Sequence, residues 1–262
     1  MNIKKHIPNA ITCCNLLCGC LAIVQSFEGN LVNAAYLVGL AAIFDFFDGF
    51  AARMLKVSSP IGKDLDSLAD MVTFGVVPGV VMFQMLKENI HLYINNYFDK
   101  NNLNERVITI DTQPFYIKYL IFVAFLITIF SAIRLAKFNN DTRQSDSFIG
   151  VPTPAVAIFI CSLPLIYDSN AAFYFFHPLF FNPFILTFIS IVLSFLLVSE
   201  LPLFALKFKH FKWKENEIRF VFLGLSLVML ITLQFVGIPL IIIMYILLSV
   251  INNVFLKKKA LS

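Results

Sequence analysis

Four aspartates stand in two close pairs in the first third of the chain. Asp45 and Asp48 are three residues apart, and Asp66 and Asp70 are four residues apart. On a helix, either spacing brings both side chains to one face. A short turn between two helices would bring the pairs together, and four carboxylates at such close range repel one another strongly. The pattern therefore predicts a divalent metal site.

The ligand chemistry narrows the choice of metal. The four aspartates offer hard oxygen ligands, with no His or Cys among them. Such a set selects Mg²⁺, Mn²⁺ or Ca²⁺ over zinc or copper. Two ions that share the carboxylates would suit phosphate chemistry, so two ions of Mg²⁺ or Mn²⁺ are predicted.

The residues between the two pairs fit a diphosphate ligand. Gly49 and Ala52 are small and leave room for close approach, and Gly62 gives the same clearance. Arg53 can pair with phosphate oxygens through its planar guanidinium group. Taken singly, each residue also has a structural explanation, as a packing notch or a topology anchor. Together with the aspartates they indicate a metal-dependent diphosphate site.

The composition predicts that helices in a membrane carry these residues. The chain has 262 residues, of which 59% are apolar and 14% charged, against about a quarter charged in soluble proteins. Stretches of about 18 or more apolar residues recur, and each is long enough to cross a bilayer as a helix. We predict an all-α integral membrane protein with a bundle of about eight transmembrane helices. They are expected near residues 8–27, 31–52, 65–86, 115–137, 149–166, 184–201, 218–236 and 238–256.

The distribution of basic residues predicts the orientation. With the N-terminus in the cytoplasm, sixteen Lys and Arg residues fall on the cytoplasmic side and four on the other. This bias follows the positive-inside rule and favours an even number of crossings, with both termini and the aspartates at the cytoplasmic face. The net charge of +4 is thus explained by topology, and no nucleic-acid partner is expected. The first apolar stretch is too long for a cleavable signal peptide. The polar segment 87–114 is expected to form a loop on the outer face.

The spacing of the aspartates also resembles the signature of a known family. The stretch from Asp45 to Asp70 fills every fixed position of the motif D-x2-D-G-x2-A-R-x8-G-x3-D-x3-D of the CDP-alcohol phosphatidyltransferases. The resemblance implies that the four aspartates bind the metals and that Asp70 is the general base. It also implies that Asp48, Gly49, Ala52, Arg53 and Gly62 hold the cytidine diphosphate of the lipid donor.

Three further segments resemble the serine-using branch of this family, the integral-membrane phosphatidylserine synthases. At the N-terminus, the polar residues of Pro8-Asn9-x2-Thr12-x2-Asn15 are placed to meet the cytidine, which adds Thr12 and Asn15 to the donor site. Residues 134–139 resemble R-L-A-R-F-N, with Lys137 in place of Arg, and residues 150–155 resemble G-L-P-x-P-A, with Val151 in place of Leu. Arg134 and Lys137 are the candidates to bind the serine carboxylate.

The resemblance implies an enzyme that transfers the phosphatidyl group of CDP-diacylglycerol to L-serine and releases CMP. It also implies a homodimer that is embedded in membrane lipids. We predict one membrane domain, 1–262, with a catalytic core at about 7–155 and C-terminal transmembrane helices at about 184–256. If the protein is bacterial, it belongs in the cytoplasmic membrane. The same reaction with glycerol 3-phosphate or an inositol phosphate remains an alternative. Membrane prenyltransferases and cation transporters also use intramembrane carboxylates, but a single acidic cluster within 26 residues is atypical of both.

Overall fold

A computed structural model of the chain describes residues 6–57, 59–100, 115–140, 147–168, 182–204, 213 and 216–261. Within these residues the protein is almost entirely helical. Helices α1 to α6 are His6–Phe27, Leu31–Leu55, Pro60–Asp70, Val77–Lys100, Phe115–Leu120 and Phe125–Asn140. Helices α7 to α10 are Thr153–Asp168, Pro183–Val198, Glu217–Leu233 and Gly237–Leu261.

Three short helical segments of other geometry join these helices into longer rods. A π-helical turn, Met71–Val76, connects α3 to α4, and 3₁₀ turns at Ile121–Ala124 and Gln234–Val236 connect α5 to α6 and α9 to α10. Each of the eight apolar stretches predicted from the sequence overlaps one or more of these helices, and the stretch 65–86 runs across α3, the π-helical turn and α4. The prediction that residues 87–114 form a loop was partly wrong, because α4 continues to Lys100. Residues 101–114 lie outside the described part of the chain.

Five helical runs are long and apolar enough to cross a membrane. They are His6–Phe27, Leu31–Leu55, Pro60–Ile94, Ile121–Asn140 and Glu217–Asn253. Helices α7 and α8 are apolar but have 16 residues each, or about 24 Å of helix against a hydrocarbon core of about 30 Å. An all-α integral membrane protein is therefore the observed class, while the number of crossings and the side of the termini stay predictions.

The helices pack around a buried core centred on α4 and α7. Helices α1 and α2 form a hairpin, and α7 packs against both α2 and α4. The core includes Phe74, Met82, Leu86 and Ile160, which are fully buried. Many large apolar side chains elsewhere are exposed, as expected for helices whose outer face meets lipid.

Glycines in the π-helical turn and at the start of α4 let α6 approach closely. A methyl group on Gly79 would overlap Thr128 of α6, and one on Gly75 would lie 3.2 Å from Ser131 Cβ. Thr128 Oγ1 also donates a hydrogen bond to the Gly75 carbonyl, at 3.0 Å. The Gly75 and Gly79 pair is thus an intramolecular packing notch.

A short antiparallel ladder, which the sequence analysis did not predict, stands beside this bundle. Strand β1, Ser147–Ile149, pairs with β2, Pro202–Phe204. Gly150 follows β1 with φ 75°, a conformation that favours glycine. A Cβ there would lie 2.6 Å from the Leu197 carbonyl oxygen. The ladder and this close contact hold the start of α7 against the end of α8.

Candidate active site

The C-terminal halves of α2 and α3 carry the four aspartates, and Asp70 is the last residue of α3. Helix α2 ends at Leu55, and Lys56 adopts a left-handed conformation with φ 52°, which stops the helix and turns the chain. Ser59 then caps α3, its hydroxyl accepting a hydrogen bond from the Gly62 N–H at 3.0 Å, and Pro60 is the first helical residue. Both are standard helix-start residues. The short turn predicted from the sequence is present, although Ser58 lies outside the described residues.

The turn brings the aspartates from both helices together. Asp45, Asp48 and Asp66 each present a carboxylate oxygen within 4.8 Å of the others. Asp70 is not one of these three, but its carboxyl group shares a hydrogen bond with that of Asp45. Two ionised carboxylates at this range repel by about 3.5 kcal/mol at an effective dielectric constant of 20. The arrangement is costly unless cations or protons lie between the carboxyl groups.

The donor set fits a divalent metal. Three carboxylate oxygens converge from two helices, Asp48 is buried, and Asp45 and Asp66 are half-buried. Hard oxygen donors of this type suit Mg²⁺ or Mn²⁺. The cluster could therefore bind a metal ion between α2 and α3.

A cavity of about 240 Å³ adjoins the cluster. Of the residues predicted to hold the donor headgroup, the ones that line it are Thr12, Asp48, Gly49, Ala52 and Gly62. Thr12 Oγ1 donates a hydrogen bond to Asp48 Oδ2 at 2.7 Å. A space of this size is small for a complete ligand site, which usually measures about 300–1,000 Å³. It can hold part of a larger ligand, with the remainder outside the cavity.

Two residues predicted for the donor site do not line this cavity. Arg53 is exposed at the end of α2 and lies over Gly49, where a Cβ would be 3.4 Å from Arg53 Nη1. Asn15 is fully buried, and its Nδ2 donates to Asp70 Oδ1 at 3.5 Å. The backbone carbonyl of Asn15 accepts a hydrogen bond from Thr73 in the π-helical turn, at 3.3 Å. Asn15 therefore lies on the Asp70 side of the cluster.

Arg134 reaches the same side of the cluster from α6. The side chain is 7% exposed, and its Nη1 lies 3.5 Å from Thr153 Oγ1 at the start of α7. The guanidinium is close enough to Asp70 to be attracted by its carboxylate, and it also lies over the Phe138 ring at 5.7 Å. Lys137, the other residue predicted to bind serine, is exposed. The structure therefore brings Arg134, but not Lys137, next to Asp70.

Several polar residues at the site were not among the predicted site residues. Asn9, Ser59 and Lys63 line the cavity, and Thr73 and Thr153 contact Asn15 and Arg134. Asn9 lies in the family-like segment at residues 8–15, and Thr153 lies in the one at residues 150–155. The sequence therefore already contained a signal for both residues. For Thr73 the signal is weaker, since a buried hydroxyl in an apolar helix is more often structural than functional.

Comparison with known proteins gives the family. The sequence profile of the CDP-alcohol phosphatidyltransferases matches residues 5–196, past residue 155, where the resemblance seen in the sequence ends. A CDP-diacylglycerol–serine O-phosphatidyltransferase of Bacillus subtilis is 33% identical over 213 residues, covering 81% of this chain and 95% of the relative. A Helicobacter pylori protein of the same name is 31% identical over 262 residues, covering 96% and 92%. An archaetidylserine synthase of Methanothermobacter thermautotrophicus is 30% identical over 173 residues, covering 63% and 62%.

Membership follows from the extent of the match together with the aspartate geometry. The profile covers well over half of the chain, and the matched region contains all four aspartates. A prenyltransferase or a cation transporter is thereby set aside. The chain belongs to the CDP-alcohol phosphatidyltransferase family.

Proposed function

We propose that this membrane protein transfers the phosphatidyl group of CDP-diacylglycerol to L-serine, producing phosphatidylserine and CMP. The names of the relatives support serine as acceptor, since two are CDP-diacylglycerol–serine O-phosphatidyltransferases and a third is an archaetidylserine synthase. The structural observation that carries the proposal is the buried Arg134 beside the aspartate cluster.

Arg134 has the properties expected of a residue that binds the acceptor carboxylate. A guanidinium group has five N–H donors and pairs well with a carboxylate. Within the described residues, Arg134 makes one long hydrogen bond to a hydroxyl, and its buried Nε has no partner. Burying an arginine in this way is costly, and an incoming carboxylate would offset part of the cost. The same guanidinium also suits a phosphate, so the acceptor must be identified by assay.

The aspartates would hold the metal. Asp45, Asp48 and Asp66, with Asp70 beside them, are proposed to bind one or two Mg²⁺ or Mn²⁺ ions. When bound, the metal neutralises negative charge on the diphosphate. Thr12 is proposed to keep Asp48 in position through its 2.7 Å hydrogen bond. Gly49, Ala52 and Gly62 would leave space for the headgroup, and Arg53 would pair with it from the exposed rim.

Asp70 is the proposed general base. In the reaction, the serine hydroxyl oxygen forms a bond to the phosphorus that carries the diacylglycerol group. The bond from this phosphorus to the bridging oxygen breaks, and CMP leaves with the electron pair. Asp70 takes the hydroxyl proton. Asn15, which donates to Asp70 Oδ1, would orient the carboxylate for this transfer.

The membrane arrangement is proposed from the sequence. The chain would form one domain of about eight crossings, with a catalytic core at 7–155, C-terminal membrane helices at 184–256 and both termini in the cytoplasm. The aspartate cluster would then face the cytoplasm, where serine is available. The homodimer rests on resemblance to the family alone.

The proposal is tested by CMP release from purified protein supplied with CDP-diacylglycerol and a panel of acceptors. We expect release with L-serine and none with glycerol 3-phosphate or an inositol phosphate. Arg134→Ala should raise the KM for serine and leave the KM for CDP-diacylglycerol unchanged. Lys137→Ala is the matched comparison, because it removes the same charge at an exposed position one helical turn away. Turnover of another acceptor in place of serine would refute the proposed function.

A further inference from the structure

Buried polar atoms without hydrogen-bond partners are concentrated around the segment that begins at Asp70. In the described part of the chain four such side-chain atoms occur: Asn15 Oδ1, Asn89 Oδ1, Ser131 Oγ and Arg134 Nε. All but Asn89, which lies about three turns into α4, surround the segment from Asp70 to Gly75. Native proteins contain few such atoms, because each costs about 1–3 kcal/mol. Three around one segment therefore require an explanation.

Close contacts and helix geometry tie the three residues to this segment. Asn15 touches it twice, through the hydrogen bond to Asp70 and through the one that Thr73 donates to its carbonyl. Ser131 Cβ lies 3.2 Å from the place where Gly75 would carry a Cβ. Arg134 follows Ser131 by three residues on α6, and this spacing puts both on one face of the helix. Both residues are buried.

The three atoms form a complementary set. Arg134 Nε is a donor and cationic, which suits a carboxylate. The Oδ1 atom of Asn15 is an acceptor, since Nδ2 is the atom that faces the Asp70 carboxylate, and the reverse orientation would oppose two oxygens. The Ser131 hydroxyl can also accept. One cationic donor and two acceptors match the two charged groups of an amino acid, a carboxylate and an ammonium.

We infer that Asn15 Oδ1 and Ser131 Oγ bind the ammonium group of the acceptor amino acid, while Arg134 binds its carboxylate. This rests on the proposed function and deepens it, because it makes Ser131 and Asn15 specificity-determining residues for an amino-acid acceptor. Asp70 accepts a hydrogen bond from Asn15 and interacts electrostatically with Arg134, so it would stand next to the hydroxyl group from which it takes the proton. Asn15, predicted from the sequence to meet the cytidine, is thereby assigned to the acceptor side.

The experiment measures the KM for L-serine and the inhibition constants of two serine analogues in the CMP-release assay. Ethanolamine lacks the carboxylate, and 3-hydroxypropanoate lacks the ammonium group. Ser131→Ala should raise the KM for serine and the inhibition constant of ethanolamine about tenfold, the effect of one lost hydrogen bond to a charged group. The inhibition constant of 3-hydroxypropanoate and the KM for CDP-diacylglycerol should not change. Arg134→Ala should give the converse pattern, weakening 3-hydroxypropanoate but not ethanolamine.

The chain offers a matched control in Ser190 of α8. Its side chain is fully buried and bonded to the Leu186 carbonyl at 2.8 Å, so Ser190→Ala should leave all these constants unchanged. Asn15→Ala should repeat the Ser131→Ala pattern and in addition lower kcat, because the contact to Asp70 is lost. Equal changes for both analogues in Ser131→Ala, or none, would overturn the inference while serine-dependent CMP release stands. Absence of serine-dependent release from the wild-type protein would instead refute the proposed function.

Discussion

Replacing one cluster aspartate should stabilise the protein without metal and remove its response to metal. Asp66 faces both Asp45 and Asp48 within 4.8 Å. Asp66→Asn removes two repulsive pairs of about 3.5 kcal/mol each at an effective dielectric constant of 20. Uptake of a proton by any of these carboxyl groups already relieves part of this repulsion, so we expect a gain on the order of 2 kcal/mol.

Added metal should stabilise the wild-type protein more than the variant. Wild-type protein at a metal concentration of 100 times Kd gains about 2.7 kcal/mol, whereas Asp66→Asn lacks one ligand and should gain much less. The measurement is the melting temperature in detergent, with chelator and then with Mn²⁺ or Mg²⁺. We expect a higher value for the variant in chelator and a larger rise for the wild type on metal addition.

Asp64→Asn is the matched control. Asp64 stands two residues away on α3, is exposed and is outside the cluster, so the same change of charge should leave both the melting temperature and its metal response close to wild type. The reasoning is refuted if no divalent metal raises the melting temperature of the wild type, or if Asp66→Asn and Asp64→Asn behave alike.

Three further predictions concern the base, the cavity and the helix notch. Asp70→Asn should lower the rate of CMP release by about 10²-fold or more, and a rate within tenfold of wild type would remove its role as base. Gly62→Ala would place a methyl 3.0 Å from the Asn9 and Ser59 side-chain oxygens, so the KM for CDP-diacylglycerol should rise severalfold. In the control Gly39→Ala, the added methyl meets nothing within 4 Å, and this KM should not change. Gly79→Ala should cost about 1–3 kcal/mol of stability by overpacking against Thr128; Thr128→Ala in the same chain should restore part of it, as measured by melting temperature.

The features that could be predicted from the sequence depend on residues close together in the chain. The i,i+3 and i,i+4 spacing of the aspartates decides which side chains share a helix face, whatever the rest of the fold does. Helix α3 begins at Pro60, earlier than the predicted stretch 65–86, although the Ser59 cap and Pro60 are an equally local signal. Apolar length and composition likewise predicted the all-α membrane class. These features needed no knowledge of which helices are neighbours.

The sequence could not predict which side chain of a neighbouring helix each residue contacts. Asn15 and Thr12 are three residues apart on α1, yet Thr12 meets Asp48 and Asn15 meets Asp70. The π-helical turn after Asp70 also has no clear sequence signal, and it carries Thr73 to the Asn15 carbonyl.

The acceptor side of the site was therefore decided by tertiary structure. Arg134 and Lys137 are three residues apart and carry the same charge, but only Arg134 is buried. Burial depends on the side of α6 that packs against the π-helical turn and α4, and the Gly75 and Gly79 notch sets that contact. The sequence by itself determined the carboxylate chemistry and the helices that carry it. Packing between helices that are distant in the chain decided which polar groups surround Asp70, because such contacts depend on the relative rotation and depth of whole helices.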